Sequence, residues 1–407
     1  MSKYDTMIEE ATNKSPQFRE ALEIIKNNIE GGKILLVGGF VFRSLVEKIY
    51  GFKREEDYDF DFIVEKIKPL EEIKAPEGWT LKKTQHGDPR LVKNNKQIDF
   101  WPIDHSTLFS DLERLSSLSF LEKLESYFKR VPLTIQAMAY DLDSKKVVGK
   151  RGLIALKNKV IELNNYDECI NFCKSRKISI YKFLLTKSKS LNFKPIFPDF
   201  SREEKVSETK EFYELYSQDY GSNNRDYHYF IEDNLKLELE IFIKNLTGKK
   251  IMDLGCGPGR DALILKNKGL IPVCFDISSN MVKICKEKGL EAYQKNIEML
   301  DLEENSFDGA WAYTSLVHIP KKRIDNSLAR IKEILKKEGV LFLGMLEGES
   351  EEYHISKSKE NGRRFYALYK DEEFQRILTK YFTILSFKRL KIKNEQIYLN
   401  YVCKKKD

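Results

Sequence analysis

From residue 211 onward strand-like runs alternate with helical patterns, and this rhythm constrains the fold more than any other feature of the chain. In order they read "KKIMDLGCG", "DALILKNKG", "IPVCFDIS", "NMVKICKEKG", "FDGAWAYT", "IDNSLARIKEILKKEG" and "VLFLGML". Parallel strands need a crossover between them, usually a helix, so short apolar runs separated by amphipathic stretches read as βαβ units. The expectation is an α/β architecture with a largely parallel, doubly wound sheet covered by helices.

That block is only half of the molecule. A chain of 407 residues exceeds what one hydrophobic core supports, which predicts two domains and leaves room for a third. "KPIFPDFSREEKVSETK", residues 194–210, carries two prolines and a run of charge, so the expected boundaries are 1–195, a linker over 196–210, and 211–407. No apolar run reaches the ~18 residues that a membrane-spanning helix needs. The polar, acidic start has no signal-like core. Cys169 and Cys173 are the only close cysteines among six, a poor zinc pattern, so reduced thiols in a cytoplasmic setting are expected.

Net charge is +7, and residues 171–195 contain seven Lys and Arg with no acid, interleaved with Phe172, Tyr181, Phe183 and Phe193. Such a helix suits a polyanion such as RNA, or is simply a solvated face over a buried aromatic stripe. Nothing points to DNA.

"IMDLGCGPGRDA", residues 251–262, is a strand, a glycine-rich turn and a helix start. Gly255, Gly257 and Gly259 permit a tight turn and close backbone approach, and the helix that follows points N–H groups at a ligand. The next strand ends in Asp276, an acid placed to accept both hydroxyls of a ribose or to cap the helix after it. Dehydrogenases share this logic. The wider sequence, from "YELYSQDYGSNNRD" through "VCFDISSNMVKICKEKG" to "NSFDGAWAYTSLVHIPKKRIDNSLARIKEILKKEGVLFLG", resembles class I S-adenosylmethionine-dependent methyltransferases over about 211–403. The resemblance implies a Rossmann-like fold in which Asp253 and Gly255 hold the methionine moiety, Asp276 the ribose, and Asn296 with Ile297 the adenine, with Gly257, Gly259 and Ile277 as further cofactor contacts. It also implies His318, in "SLVHIP", as a catalytic residue facing the methyl acceptor. Tyr213, Tyr220, Tyr313, Glu347, Arg363 and Arg364 are further candidates for the acceptor site, the paired arginines suiting an anion.

In the first block, "EEDYDFDFIVE" lines Asp57, Asp59 and Asp61 along one face of a strand and Tyr58, Phe60 and Phe62 along the other. At a spacing of ~7 Å each adjacent pair of carboxylates repels by about 2 kcal/mol at an effective dielectric of about 20, so solvent or a cation must offset it. Upstream, "KILLVGGFVFRSLVEKIYG" is a strand, Gly38-Gly39 and a helix whose N-terminus suits a phosphate; downstream, Asp99 interrupts the apolar strand "NNKQIDFWPID". These elements, with "AMAYD" and the helix after it, resemble the head domain of poly(A) polymerases and CCA-adding enzymes, within the polymerase-β-type nucleotidyltransferase superfamily, over about 33–193. The resemblance implies an α+β nucleotidyltransferase head with a short helical neck. Asp59, Asp61 and Asp99 would be catalytic and hold two Mg²⁺ ions, while Gly38, Gly39, Arg43 and Arg130 would contact a nucleoside triphosphate substrate.

Departures are plain. Val41-Phe42-Arg43 stands where relatives have Val-Arg-Asp, and Arg130-Val131-Pro132-Leu133-Thr134 where they have Arg-Arg-Asp-Phe-Thr, with Gln136 for their Asn. Three readings follow: a bifunctional methyl- and nucleotidyltransferase acting on an RNA end or a small hydroxylated acceptor; a methyltransferase whose first domain only binds nucleotide or RNA; and adenylylation of a small molecule or protein linked to methylation.

Overall fold

The computed structural model describes residues 2–52, 59–84, 87–104, 118–200, 203–222, 234–355, 363–392 and 396–407. Asp57 and Tyr58 of the acidic strand, and the asparagines of "GSNNRD", lie outside the described residues. The chain divides into two compact units, residues 1–172 with 184–197, and residues 173–183 with 198–407. Among the described residues no helix is long and apolar enough to cross a membrane.

The first unit is built on a seven-stranded sheet. Its strands are β1 (Ile29–Val37), β2 (Asp59–Ile67), β3 (Thr80–Lys83), β4 (Pro89–Lys93), β5 (Lys96–Pro102), β6 (Ala139–Asp141) and β7 (Lys146–Val148), in the order β3-β4-β5-β2-β1-β6-β7. β2 runs parallel to β5 and antiparallel to β1. The alternation of "DFDF" is realised as expected: Phe60 and Phe62 are buried, Asp61 is half-buried and Asp59 exposed. Phe18 of the helix Pro16–Asn27 and Phe40 of the helix Gly38–Tyr50 cover the aromatic face, their rings 5.8 and 5.3 Å from Phe60. The opposite face packs Leu35, Val37 and Ile63 against Leu124 and Phe128 of the helix Phe120–Arg130. A small parallel pair, β8 (Val160–Glu162) and β9 (Lys194–Ile196), stands beside this sheet in the chain order.

The second unit has its own seven-stranded sheet, from β10 (Lys250–Leu254), β11 (Ile271–Asp276), β12 (Glu291–Gln294), β13 (Phe307–Tyr313), β14 (Leu335–Leu346), β17 (Phe382–Lys391) and β18 (Ile397–Lys405). The order is β12-β11-β10-β13-β14-β18-β17. The first five are parallel, and β18 and β17 are added antiparallel at one edge. Between β14 and β17 a separate hairpin forms from β15 (Glu351–Ile355) and β16 (Arg363–Ala367). Met252, Leu254 and Phe275 join one apolar layer, while Ile251, Trp311 and Phe342 join the other. Both faces of the sheet are thus dry, as all-parallel strands require. This is a doubly wound, Rossmann-like arrangement with an antiparallel pair added at one edge.

The division of the chain differs from the expected one in two places. Residues 204–210, expected as linker, begin the helix Glu204–Leu215. The segment 173–183, expected in the neck, clusters with the second unit. There Glu333 accepts the Ser179 N–H and hydroxyl, both at 2.7 Å, and Asn326 accepts the Ile180 N–H at 2.7 Å. Tyr181 lies against the buried Arg330 guanidinium, and Lys182 pairs with Glu304 at 3.0 Å. Part of the basic segment is therefore structural.

Candidate active site

In a doubly wound sheet the crevice opens where the chain leaves a central strand toward opposite sides. β10 is that strand, flanked by β11 and β13. Its end passes into a turn in which Gly255, Gly257 and Gly259 all have positive φ (68°, 52° and 82°). The three are not equivalent. A Cβ at Gly255 would lie 2.3 Å from Cβ of Ser315, and one at Gly259 would lie 2.6 Å from Leu290, whereas one at Gly257 meets nothing within 4 Å. The first and third glycines allow packing, and the second leaves the turn open toward a ligand.

Asp276, at the tip of β11, ties this turn to the next helix. One carboxylate oxygen accepts the Gly257 N–H and the other the Ser278 N–H, each at 2.9 Å. Burial raises its pKa to about 6, against the pull of those two N–H groups. Glu214, on the helix Glu204–Leu215, accepts the first N–H groups of the helix Ser279–Glu287, from Ser279 at 2.7 Å and Asn280 at 3.0 Å. Sequence reasoning missed Glu214, which acts as a cap supplied by a residue far away in the chain. Only its position in the opening helix of the block could have hinted at it.

Asp253 is 2% exposed, and its Oδ2 has no hydrogen-bond partner among the described residues. Burial, and next the Asp261 carboxylate, push its pKa well up. Asp253 lines a cavity of about 840 Å³ together with Gly255, Gly257, Tyr213 and Arg364. A buried carboxylate with an unanswered oxygen at a cavity wall fits a cationic ligand group such as an ammonium. A narrower recess of about 110 Å³ contains Asp276, Ile277, Asn296, Ile297 and His318. Asn296 spends its side-chain oxygen on the Glu298 N–H at 3.0 Å, so its amide N–H groups are what it offers a ligand. The residues fit S-adenosylmethionine: an acid for the ammonium, an acid beside the turn for a ribose, and a recess beyond it for a base.

His318 differs from a poised general base. Its Nδ1 donates to the Phe365 carbonyl at 2.7 Å, and its Nε2 accepts the Tyr213 hydroxyl at 2.9 Å. Burial holds its pKa down to about 4. The ring is neutral with both nitrogens in use, and Tyr213 lines the cavity beside it. The two arginines of β16 also separate, because neighbours on a strand face opposite ways. Arg364 lines the cavity, donates to the Tyr220 hydroxyl at 3.0 Å and lies 4.4 Å from the Phe212 ring. Arg363 turns to Glu208 at 3.3 Å and to the ring of Tyr353. Tyr313 and Glu347 are also in the wall, though Glu347 carries a fork from Arg389 with bonds of 2.9 and 2.6 Å.

In the first unit the register sets Asp61 opposite Asp99 on parallel strands and Asp59 opposite Gln97. Asp61 also faces Val37, and a Cβ at Gly38 would lie 2.1 Å from its Oδ2, so the helix start is pressed against this carboxylate. Gly39 is closed over in the same way by the Arg43 guanidinium. Asp99 is 6% exposed, with both oxygens held by Arg90 (Nε–Oδ1 2.7 Å, Nη2–Oδ2 2.6 Å) and a third bond from Gln97 at 3.1 Å. The three acids do not gather their oxygens within 4.8 Å of one another; among the described residues only the buried Cys256, Cys274 and Cys285 form such a trio. Asp99 is thus engaged by Arg90 and Gln97 and is not gathered with Asp59 and Asp61 into one ligand set. Arg130 pairs with Glu168 at 3.3 Å.

Comparison with known proteins agrees with the second unit's architecture. Residues 252–343 match the family model described as methyltransferase domain. A protein of Geobacillus sp. (strain WCH70), provisionally named a methyltransferase, is 34% identical over 101 residues, which are 23% of this chain and 40% of that protein. A CCA-adding enzyme of Streptococcus pyogenes serotype M1 is 29% identical over 145 residues, 35% of this chain and 34% of the enzyme. Among solved structures, the Burkholderia thailandensis 1,6-didemethyltoxoflavin-N1-methyltransferase superposes with a TM-score of 0.39 at 19% identity, covering 52% of this chain and 93% of that one. The chain spans less than half the length of either curated relative. Its second unit carries a Rossmann-like methyltransferase domain.

Proposed function

We propose that the chain is a bifunctional enzyme, with S-adenosylmethionine-dependent methyl transfer in the second unit and metal-dependent nucleotidyl transfer in the first. The methyl-transfer part is carried by one observation: the unanswered oxygen of Asp253 and the anchored carboxylate of Asp276 flank an open glycine turn. Asp253 takes the ammonium of the cofactor, Asp276 the ribose, and Ile277, Asn296 and Ile297 enclose the adenine. The cofactor supplies a methyl group already activated by its sulfonium, so the protein's task is alignment, which can contribute up to about 7–11 kcal/mol in ideal cases. Tyr213, held by His318, and Tyr220, held by Arg364, form a polar aromatic wall for the acceptor. Arg364 gives that wall a positive charge, which favours an acceptor bearing an anionic group.

For the first unit, the pairing of Asp61 with Asp99 beside the Gly38 helix start favours nucleotidyl transfer. Partial likeness to a CCA-adding enzyme supports it. Asp59, Asp61 and Asp99 would hold Mg²⁺, which supplies charge neutralisation for a triphosphate and activation of an acceptor hydroxyl. The acceptor would be an RNA end or a small hydroxylated molecule. A second reading, a domain that only binds nucleotide or RNA, is favoured by the Arg90 fork on Asp99. Adenylylation of a small molecule or protein is the third.

Transfer from each α-labelled nucleoside triphosphate into total RNA and into a metabolite extract tests the proposal. An Asp59→Asn/Asp61→Asn variant runs alongside. Label present with the wild type and lost in the variant names nucleotide and acceptor, and that product is then offered with S-adenosylmethionine. No label with any nucleotide leaves the binding-domain reading. An RNA product predicts transfer that weakens steeply with salt, since lysines and arginines displace counterions from phosphates.

A further inference from the structure

We propose that Arg90 is the group in the first unit that receives a polyphosphate, and that it holds Asp99 shut until that anion draws it away. The proposal rests on the nucleotidyl-transfer reading of this unit.

Four features converge where β1, β2, β4 and β5 lie side by side. Asp61 faces Asp99 across β2 and β5, Arg90 faces Asp99 across β4 and β5, and the Gly38 helix start abuts Asp61. The Arg90 guanidinium forms a two-pronged fork on Asp99, with Gln97 adding a third bond, so both Asp99 oxygens already carry donors and a positive charge stands where a cation would bind. Asp61 stands directly opposite Asp99 on the neighbouring strand, and Asp59 lies two residues before it. One arginine therefore neutralises a set of acids that would otherwise repel one another, the place a divalent cation would take.

The two partners are unequally covered. The Asp99 side chain is 9% exposed and that of Arg90 35%, so an incoming ligand meets the arginine first. A planar guanidinium fork matches phosphate as well as it matches carboxylate. A polyphosphate carries more charge than one carboxylate and competes well for it. Once Arg90 turns to the phosphates, Asp99 is left buried and uncompensated, a costly state that a cation relieves. Anion and metal then bind in support of each other, although each alone binds poorly.

Three variants of the full chain test this with two probes, neither of which needs turnover. Inorganic tripolyphosphate is titrated calorimetrically in EDTA, and Mn²⁺ binding is read by electron paramagnetic resonance without any anion. Arg90→Gln should weaken tripolyphosphate binding and tighten Mn²⁺ binding, each by about tenfold, the strength of one charge-assisted pair. Asp99→Asn should do the reverse, because it frees the arginine and removes a metal ligand. Arg90→Lys, which keeps the charge but loses the fork, should fall between. The latch is overturned if wild type binds both probes and Arg90→Gln leaves both affinities unchanged. If folded wild type and all three variants bind neither probe, the nucleotidyl-transfer reading fails together with it.

Discussion

Each unit places a carboxylate at the edge of its candidate site, and the two are stabilised by different means. Asp276 in the second unit accepts two backbone N–H groups. Asp99 in the first accepts a guanidinium fork. The difference follows from which donors lie within reach. Asp276, at a strand tip, is met by the start of the next helix and the turn beside it, whereas Asp99, within a strand between β2 and β4, is met by the side chains of Arg90 and Gln97. A site of the first kind is ready for a neutral hydroxyl ligand. One of the second kind is ready only after its counter-charge has moved.

The sharpest way to break this comparison is to remove the self-sufficient acid. Asp276→Ala should weaken S-adenosylhomocysteine binding by about a hundredfold or more in calorimetry, since charge-assisted hydrogen bonds contribute roughly 1.5–3 kcal/mol each. Unchanged affinity would refute the ribose assignment. Next in size is Gly255→Ala, which combines a clash with Ser315 and a φ of 68°. A loss of about 3 kcal/mol in urea unfolding is expected. Gly257→Ala, with open space around its Cβ and a φ of 52°, should cost only about 1 kcal/mol.

A pH series sharpens the comparison further. The pKa of Asp276 is raised by burial to about 6, above its value in the unfolded chain. Its contribution to stability is therefore complete below about pH 4 and is lost as the pH rises through about 6. The melting temperature of the cofactor-free protein should carry a component that falls over this range and is absent in Asp276→Asn. Affinity for S-adenosylhomocysteine should rise over the same range as the carboxylate ionises. The smallest expected effect is none: the His318 ring resonances should not move in NMR spectra between pH 8 and 5.5, because burial keeps its pKa near 4. A midpoint near 6.5 would restore His318 as a general base.

The cofactor half of the molecule was legible in advance because its determinants are local. The spacing of Gly255, Gly257 and Gly259 fits only a turn between strand and helix, and Asp276 ends the next strand of the same unit. The alternation of Asp59, Phe60, Asp61 and Phe62 likewise predicts which side chains share a face, and the structure has them so. Three things were not legible. Nothing near Asp99 in composition marks Arg90 as its partner, since an antiparallel register decides it. His318 was singled out by its place in "SLVHIP", yet its role is decided by the Phe365 carbonyl and the Tyr213 hydroxyl, 47 and 105 residues away in the chain. The pair Arg363-Arg364 reads as one anion clamp, but the strand sends Arg364 to the cavity and Arg363 to Glu208.

What the amino-acid order determined by itself was therefore the periodic and the local: which runs are strands, where a glycine turn opens, which residues alternate. Tertiary structure decided which charges meet, whether a histidine nitrogen remains available, and which acid carries its own counter-ion. The physical reason is that backbone geometry depends on neighbours a few residues apart, while hydrogen bonding and electrostatics depend on distance in space, which only the folded chain sets.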